Sequence, residues 1–266
     1  MGLVLSKLSG AKGYLNYGRG FDSDAVTFLT ATGITNIVQQ KAINELVIDL
    51  KGYGIWTKQK ALYPVVGGTS ARHAVNLRTP GTYNLTFTAG WIHSVNGMTP
   101  NGTSDYADTG LAPTLMAQDS IHGSVYLRNN ITSDGPAFST EDAGTFNNAF
   151  YLFPKITASN NYSVRINDST SAFLTQNNDI RGLNLINRTA SNSKKYRINN
   201  TEVFSLTTAS TARNTQSIYI ARLRTTNTFF VNQYSFISFG DGLTDTEAAN
   251  FYTAVQKFQT TLGRQV

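Results

Sequence analysis

The chain has 266 residues, only 14% of them charged, a formal net charge of +6 and no cysteine. Soluble domains usually carry about 25% charged residues; here Asn, Thr and Ser take their place, which suits a particle component or a sugar binder better than a cytosolic metabolic enzyme. The absence of cysteine excludes disulfides and thiolate metal sites, so a chain long enough for a large core must rely on packing or oligomerisation.

Residues 1–20, "MGLVLSKLSGAKGYLNYGRG", carry Lys7, Lys12 and Arg19 and no acid. The apolar part is too short and broken for a signal peptide, and no later run is long enough to cross a membrane. The segment reads as a flexible basic anchoring arm.

Residues 21–66 read as a helical docking or oligomerisation module. "DSDAVTFLTAT" opens with Asp22 and Ser23 as caps, and Gly33 would stop it in a left-handed turn. In "NIVQQKAINELVIDLKG", Asn36 and Gln39 have capping spacing. Ile43, Leu46, Val47 and Leu50 then fall on one apolar stripe, and Gly52 and Gly54 close the helix. Ile55, Trp56, Leu62 and Tyr63 form an aromatic-rich hook ended by Pro64.

Residues 67–242 change pattern. "HAVNLR", "YNLTFT", "SVYLR", "FYLFP", "YSVRIN", "LNLINRT", "KKYRINNTEVFSL", "SIYIARLR" and "FFVNQYSFISFG" alternate apolar with polar residues between turn-forming clusters. The "NN" in "RINNTEVF" predicts a tight hairpin. Many strands with no long helix between them predict a mainly β, antiparallel β-sandwich rather than parallel βαβ units. Residues 243–266 return to helix. Thr244 and Glu247 have capping-box spacing, Phe251, Val255, Phe258 and Leu262 make the stripe, and Gly263 is the stop. This helix should pack on the sandwich or on the first helices.

Catalytic patterns are thin. The four glutamates, Glu45, Glu141, Glu202 and Glu247, offer no close carboxylate pair along a strand, as glycoside cleavage would need. His73, His93 and His122 lack metal-ligand spacing and read as polar residues on strand edges. No nucleophile elbow or phosphate-binding glycine loop occurs. The chain is expected not to be an enzyme. Asn-x-Ser/Thr triplets such as that at Asn101 are expected by chance in so Asn- and Thr-rich a chain.

The loop "VNGMTPNGTSDYADTGLAPT" holds the candidate ligand-binding residues Asn101, Asp105, Tyr106 and Asp108. Three readings fit it. Carboxylates with backbone carbonyls would hold calcium. Polar groups beside a ring would grip a sugar. Alternatively, Asp and Asn close Asx turns and Tyr106 plugs the space between the sheets. No other cofactor or metal is expected. Charge is also uneven: residues 98–179 hold three bases against eight acids, and residues 181–230 hold eight bases against Glu202 alone. Opposed surfaces without a role and complementary charge between neighbouring copies are the main readings. The bases are scattered along strands with no basic helix face, which argues against nucleic-acid binding.

Three stretches, "AINELVIDLKGYGIWTKQKALYPVVGGTSARHAVNLR", "NGTSDYADTGLAPT" and "GLTDTEAANFYTAVQKFQTTLGRQV", resemble tailed-bacteriophage structural proteins with a laminin-G or concanavalin-like domain. The resemblance spans residues 22–266 and includes the closing Leu-Gly-Arg-Gln at Leu262 to Gln265. It implies a helical module before a jelly-roll sandwich, a C-terminal helix, and a place in the virion as head fibre, tail fibre or decoration protein. Its partners would be other virion proteins, with a homotrimer as the expected assembly. Attachment to a host-surface glycan as the receptor binder is the alternative role, and polysaccharide cleavage a remoter one. No membrane insertion is expected.

Overall fold

The computed structural model describes residues 20–142, 145–175 and 179–266. Lys7, Lys12 and Arg19 of the basic arm lie outside them.

In chain order the structure begins with α1 (Ser23–Thr32), α2 (Ile37–Gly52), β1 (Gln59–Tyr63) and the short α3 (Ser70–His73). Then come β2 (Thr86–Phe87), β3 (Ile92–Ser94), β4 (Gly97–Thr99), β5 (Ala107–Asp108), β6 (Ile121–Leu127) and β7 (Phe138–Asp142). They are followed by β8 (Thr145–Phe153), β9 (Asn161–Asp168), β10 (Ala172–Thr175), β11 (Gly182–Arg188), β12 (Lys194–Ile198) and β13 (Thr201–Leu206). The chain ends with β14 (Tyr219–Ile220), β15 (Arg222–Leu223), β16 (Thr228–Phe229), β17 (Tyr234–Gly240) and α4 (Asp245–Thr261).

The strands make the antiparallel sandwich that the alternation predicts. The first sheet runs β13-β12-β11-β6-β17-β4-β3, with β1 also paired to β17; the second runs β10-β9-β8-β7-β14-β5-β2. β15 and β16 form a separate small hairpin. Between the sheets lie Val125, Ile186, Ile237 and Phe239 from one side and Phe138, Phe150, Leu152, Val164 and Ile220 from the other. At Gly123 the two sheets pack too closely for a side chain. A methyl group there would stand 2.7 Å from Phe138 and 2.8 Å from Phe150.

The helices form a third layer on the outside of the first sheet. Phe28, Leu46, Leu50, Phe251, Val255 and Phe258 pack with Tyr126, Leu183, Leu185 and Phe236 of the strands. Every residue of β6, β11 and β17 is therefore buried, on both faces. The helix ends follow the sequence. Asp22 accepts the Asp24 amide and Gly33 sits at φ 61°. Asn36 Oδ1 accepts the amides of Val38 and Gln39. Thr244 and Glu247 make both bonds of the capping box. Lys51 pairs with Asp22 and Asp24 at 2.6 Å, tying α2 to the start of α1.

The ending Leu262 to Gln265 has a visible structural task. After Gly263 turns the chain, the buried Arg264 guanidinium donates to the carbonyls of Val65 (2.6 Å), Pro64 (3.2 Å) and Ser235 (3.0 Å) and to Gln259 Oε1 (2.9 Å). It thus joins the helical layer to the loop after β1 and to β17. With carbonyls in place of a carboxylate partner, burial pulls its pKa down to about 9.

Two segments differ from expectation. Gln59–Tyr63 is a strand of the first sheet, not an extension of the helical segment. "HAVNLR" is not a strand: His73 ends α3, and the buried Asn76 laces the following loop to its surroundings. Its side chain accepts from the amides of Leu62 and Arg78 and donates to the carbonyls of Lys60 and Thr82. The charge asymmetry is partly neutralised within the chain. Asp168 of the acidic stretch lies fully buried between Arg188 (3.1 Å) and Lys194 (3.0 Å) of the basic one, bridging β9 of one sheet to β11 and β12 of the other.

Candidate functional site

The loop at 95–114 divides into two parts. In the first, Asn101 Oδ1 accepts the amides of Thr103, Ser104 and Asp105, closing the turn on itself. Asp105 is fully buried; its Oδ2 accepts the Asn101 amide at 2.9 Å, and its Oδ1 has no hydrogen-bond partner among the described residues. In the second part, Asp108 Oδ1 caps the Gly110 amide at 2.9 Å. The Asx-turn reading thus describes Asn101 and Asp108. Among the described residues no three acidic or histidine side chains come together as a metal-ligand set.

Tyr106 is not a plug between the sheets. It is half-buried on the outer face of the second sheet, with its ring 4.8 Å from that of Tyr219. Register explains the encounter. Asp108 pairs with Tyr219, Tyr219 with Ser139, Ser139 with Tyr151, and Tyr151 with Arg165. These residues form one row across β5, β14, β7, β8 and β9. Strand alternation sends their side chains away from the core, because their neighbours Ala107, Ile220, Phe138, Phe150, Val164 and Ile166 point into it.

Unlike the first sheet, the second has no helical layer over this face among the described residues. What stands on it is the β15–β16 hairpin. Ala221 adopts φ 65°, a left-handed conformation that bends the chain out of β14 and turns Arg222 toward Tyr219. Ser139 Oγ donates to the Arg222 carbonyl at 2.7 Å, and Glu141 Oε1 accepts the Thr225 amide at 2.8 Å, fixing the hairpin to β7. The Arg222 guanidinium lies 4.5 Å from the Tyr106 ring centre, and that of Arg224 lies 4.0 Å from Tyr219. Beside the hairpin a cleft of about 270 Å³ is lined by Phe146, Tyr151, Phe153, Ser163, Arg165 and Leu223, among others. The lining is mainly apolar, and its polar groups are bonded to one another. Tyr151 Oη lies 2.8 Å from Ser171 Oγ, Ser163 Oγ donates to Tyr151 Oη at 3.3 Å, and Arg165 Nε donates to Ser171 Oγ at 2.9 Å.

Two acids belong to this face: Asp108, in the same row beside Tyr219, caps the Gly110 amide, and Glu141 lies beneath the hairpin. Glu141 is fully buried, its carboxyl is held by the hairpin amide, and burial raises its pKa. The platform residues Tyr151, Arg165, Tyr219, Arg222 and Arg224 are additions to the sequence reading. "FYLFP" and "YSVRIN" already imply outward Tyr151 and Arg165. The meeting of Tyr106 with Tyr219 and Arg222 depends on strand order and on the bend at Ala221.

His93 sits on the edge strand β3 as expected, but His122 and His73 depart from the strand-edge expectation. His122 is buried within β6, its Nδ1 donating to the Asp241 carbonyl at 2.6 Å and its Nε2 accepting from Ser238 Oγ at 3.2 Å. Burial pushes its pKa down to about 4. His73 is also buried, and its Nδ1 lies 2.9 Å from Nδ1 of His93 on β3. Because His73 Nε2 accepts the Gly68 amide, the proton between the rings belongs to His73.

No family model matches the chain, and no curated protein sequence matches it. Solved structures do share the fold. Domain 4 of AbnA, an extracellular GH43 arabinanase from Geobacillus stearothermophilus solved in complex with arabinotriose, superposes with TM-score 0.50 at 14% identity, over 73% of this chain and 98% of that one. A mutant Trypanosoma rangeli sialidase gives TM-score 0.54 at 9% identity, over 84% of this chain and 40% of that one. The botulinum neurotoxin serotype D binding domain gives 0.50 at 13%, over 75% and 52%. The chain thus spans about half or less of the last two. At these identities the likeness establishes the architecture: a two-sheet antiparallel β-sandwich.

Proposed function

We propose that the chain is a non-enzymatic carbohydrate-binding module displayed on a bacteriophage virion, and that the outer face of the second sheet is its binding surface. The observation that carries this reading is the contrast in coverage. The central strands of the first sheet are buried on both faces, whereas the second presents the half-buried Tyr106 and Tyr219 beside a cleft lined by Tyr151, Arg165 and Ser171. Aromatic side chains with a few fixed polar groups are the usual means of orienting a small polar ligand. A similar sandwich was solved with arabinotriose, so the architecture is compatible with sugar binding. Non-catalytic action is favoured because the acid beneath the platform, Glu141, is buried and holds the hairpin. The virion setting rests on the resemblance of residues 22–266 to phage structural proteins, and a homotrimer is proposed with it.

A glycan array probed with the purified protein tests the binding role. Binding that is lost in Tyr106→Ala with an unchanged unfolding midpoint supports it, and a blank array overturns it. Mass spectrometry of purified particles tests the setting. Deleting residues 1–20 should leave a folded sandwich and abolish incorporation into particles; normal incorporation would refute the role of the arm.

A further inference from the structure

The ring faces on the second sheet are not bare, and this narrows what the surface can hold. A neutral sugar or a nucleobase that stacked on Tyr219 or Tyr106 would need a free ring face. Arg224 already lies 4.0 Å from the Tyr219 ring centre, and Arg222 lies 4.5 Å from that of Tyr106. The cleft repeats the arrangement, with Arg165 at 5.4 Å from Phe146 and 5.7 Å from Tyr151. The surface therefore offers guanidinium groups held flat by rings.

None of the three arginines makes an ion pair among the described residues, in contrast to Arg181, Arg188 and Arg197. Each is held by one or two polar contacts. Arg165 donates to Ser171 Oγ and the Phe146 carbonyl, Arg222 to Asn227 Oδ1, and Arg224 to Ser217 Oγ. That leaves Nη2 of Arg165 and Nη1 of both Arg222 and Arg224 without a hydrogen bond to any described residue. A guanidinium fixed in orientation and lacking a carboxylate partner is matched by a planar or tetrahedral anion, which accepts its paired N–H groups.

We infer that the ligand of this face is an acidic saccharide. Its carboxylate, sulfate or phosphate groups would be taken by Arg222, Arg224 and Arg165, and the apolar face of one sugar ring would sit in the cleft against Phe146, Phe153 and Leu223. This rests on the carbohydrate-binding reading and adds the charge class. Saccharide is favoured over nucleic acid because the ring faces that bases would stack on are occupied.

The test uses an array of carboxylated, sulfated and phosphorylated glycans, each printed beside its neutral parent, with single-stranded oligothymidylate as a further probe. The expected result is binding to acidic members over their neutral parents, weakened by added salt. The double variant Arg222→Gln/Arg224→Gln and the single variant Arg165→Gln should each weaken it by about tenfold or more, with unchanged unfolding midpoints. Lys41→Gln, an exposed cation on the helical side, should leave it unchanged. Equal binding to acidic and neutral partners overturns the charge class and leaves the carbohydrate reading standing. Binding to oligothymidylate alone overturns the saccharide in favour of nucleic acid, and no binding to any probe overturns both readings. An equal loss in Lys41→Gln reduces the effect to net charge and also overturns the proposal.

Discussion

The two sheets are built from similar strands but have different surroundings. In the first, β6, β11 and β17 are buried from end to end because helices cover the face that the core does not. In the second, alternation survives: Phe150 and Leu152 face inward while Tyr151 and Phe153 line an open cleft. A sheet covered on both sides is constrained by packing at every residue. A sheet covered on one side keeps its other face available for contact, and here that face carries rings and guanidinium groups.

The contrast can be broken most severely at the bridge the two sheets share. Asp168→Asn would leave Arg188 and Lys194 buried without the one carboxylate that pairs with both, and should cost about 3–5 kcal/mol in urea unfolding, or abolish folding. Next in size is the helical layer. Phe251→Ala, which empties the contact between α4 and Phe236 (ring centres 6.0 Å apart), should cost about 3 kcal/mol by the same measurement. A smaller effect is set by pH. His122 binds its proton with a pKa near 4 in the folded chain, against about 6.5 in the unfolded one. Its contribution is complete above pH 6.5 and is lost as pH falls toward 4, at up to about 1.4 kcal/mol per unit. His122→Gln should flatten that slope in a pH series of unfolding midpoints. The smallest effect belongs to the open face: Tyr219→Ala should shift stability by less than about 1 kcal/mol in thermal unfolding. A loss as large as that of Phe251→Ala would mean that both sheets are equally structural.

How much of this was legible in the sequence varied with the element. α4 could be read almost whole, because its capping box, stripe and terminal glycine are local signals. The long strands β9 and β11 were legible for the same reason. β1 was not. Gln59–Tyr63 is a doubly covered strand, four of its five residues are buried, and alternation is lost. "HAVNLR" alternates but is a loop whose polar member, Asn76, is the buried hub, and period-two patterning cannot separate these cases. The site was legible only in part. The composition of the loop drew attention to Tyr106, but Asn101 and Asp105 serve the turn. Simple alternation through "SIYIARLR" would send Arg222 to the face opposite Tyr219; the left-handed Ala221 reverses that phase. Tyr106 and Tyr219 are brought together only by the pairing of β5 with β14.

The helical layer also gives the molecule a direction. Gly20 leads straight into α1, and at the other end the Val266 amide donates to Tyr126 Oη on the helix-covered side of the first sheet. Both ends of the described chain therefore leave from one side of the stack, with two sheets between them and the tyrosines and arginines. Anything tethered at either end, whether a neighbouring subunit or a grafted partner, would hold the body from behind and turn that far surface toward the outside.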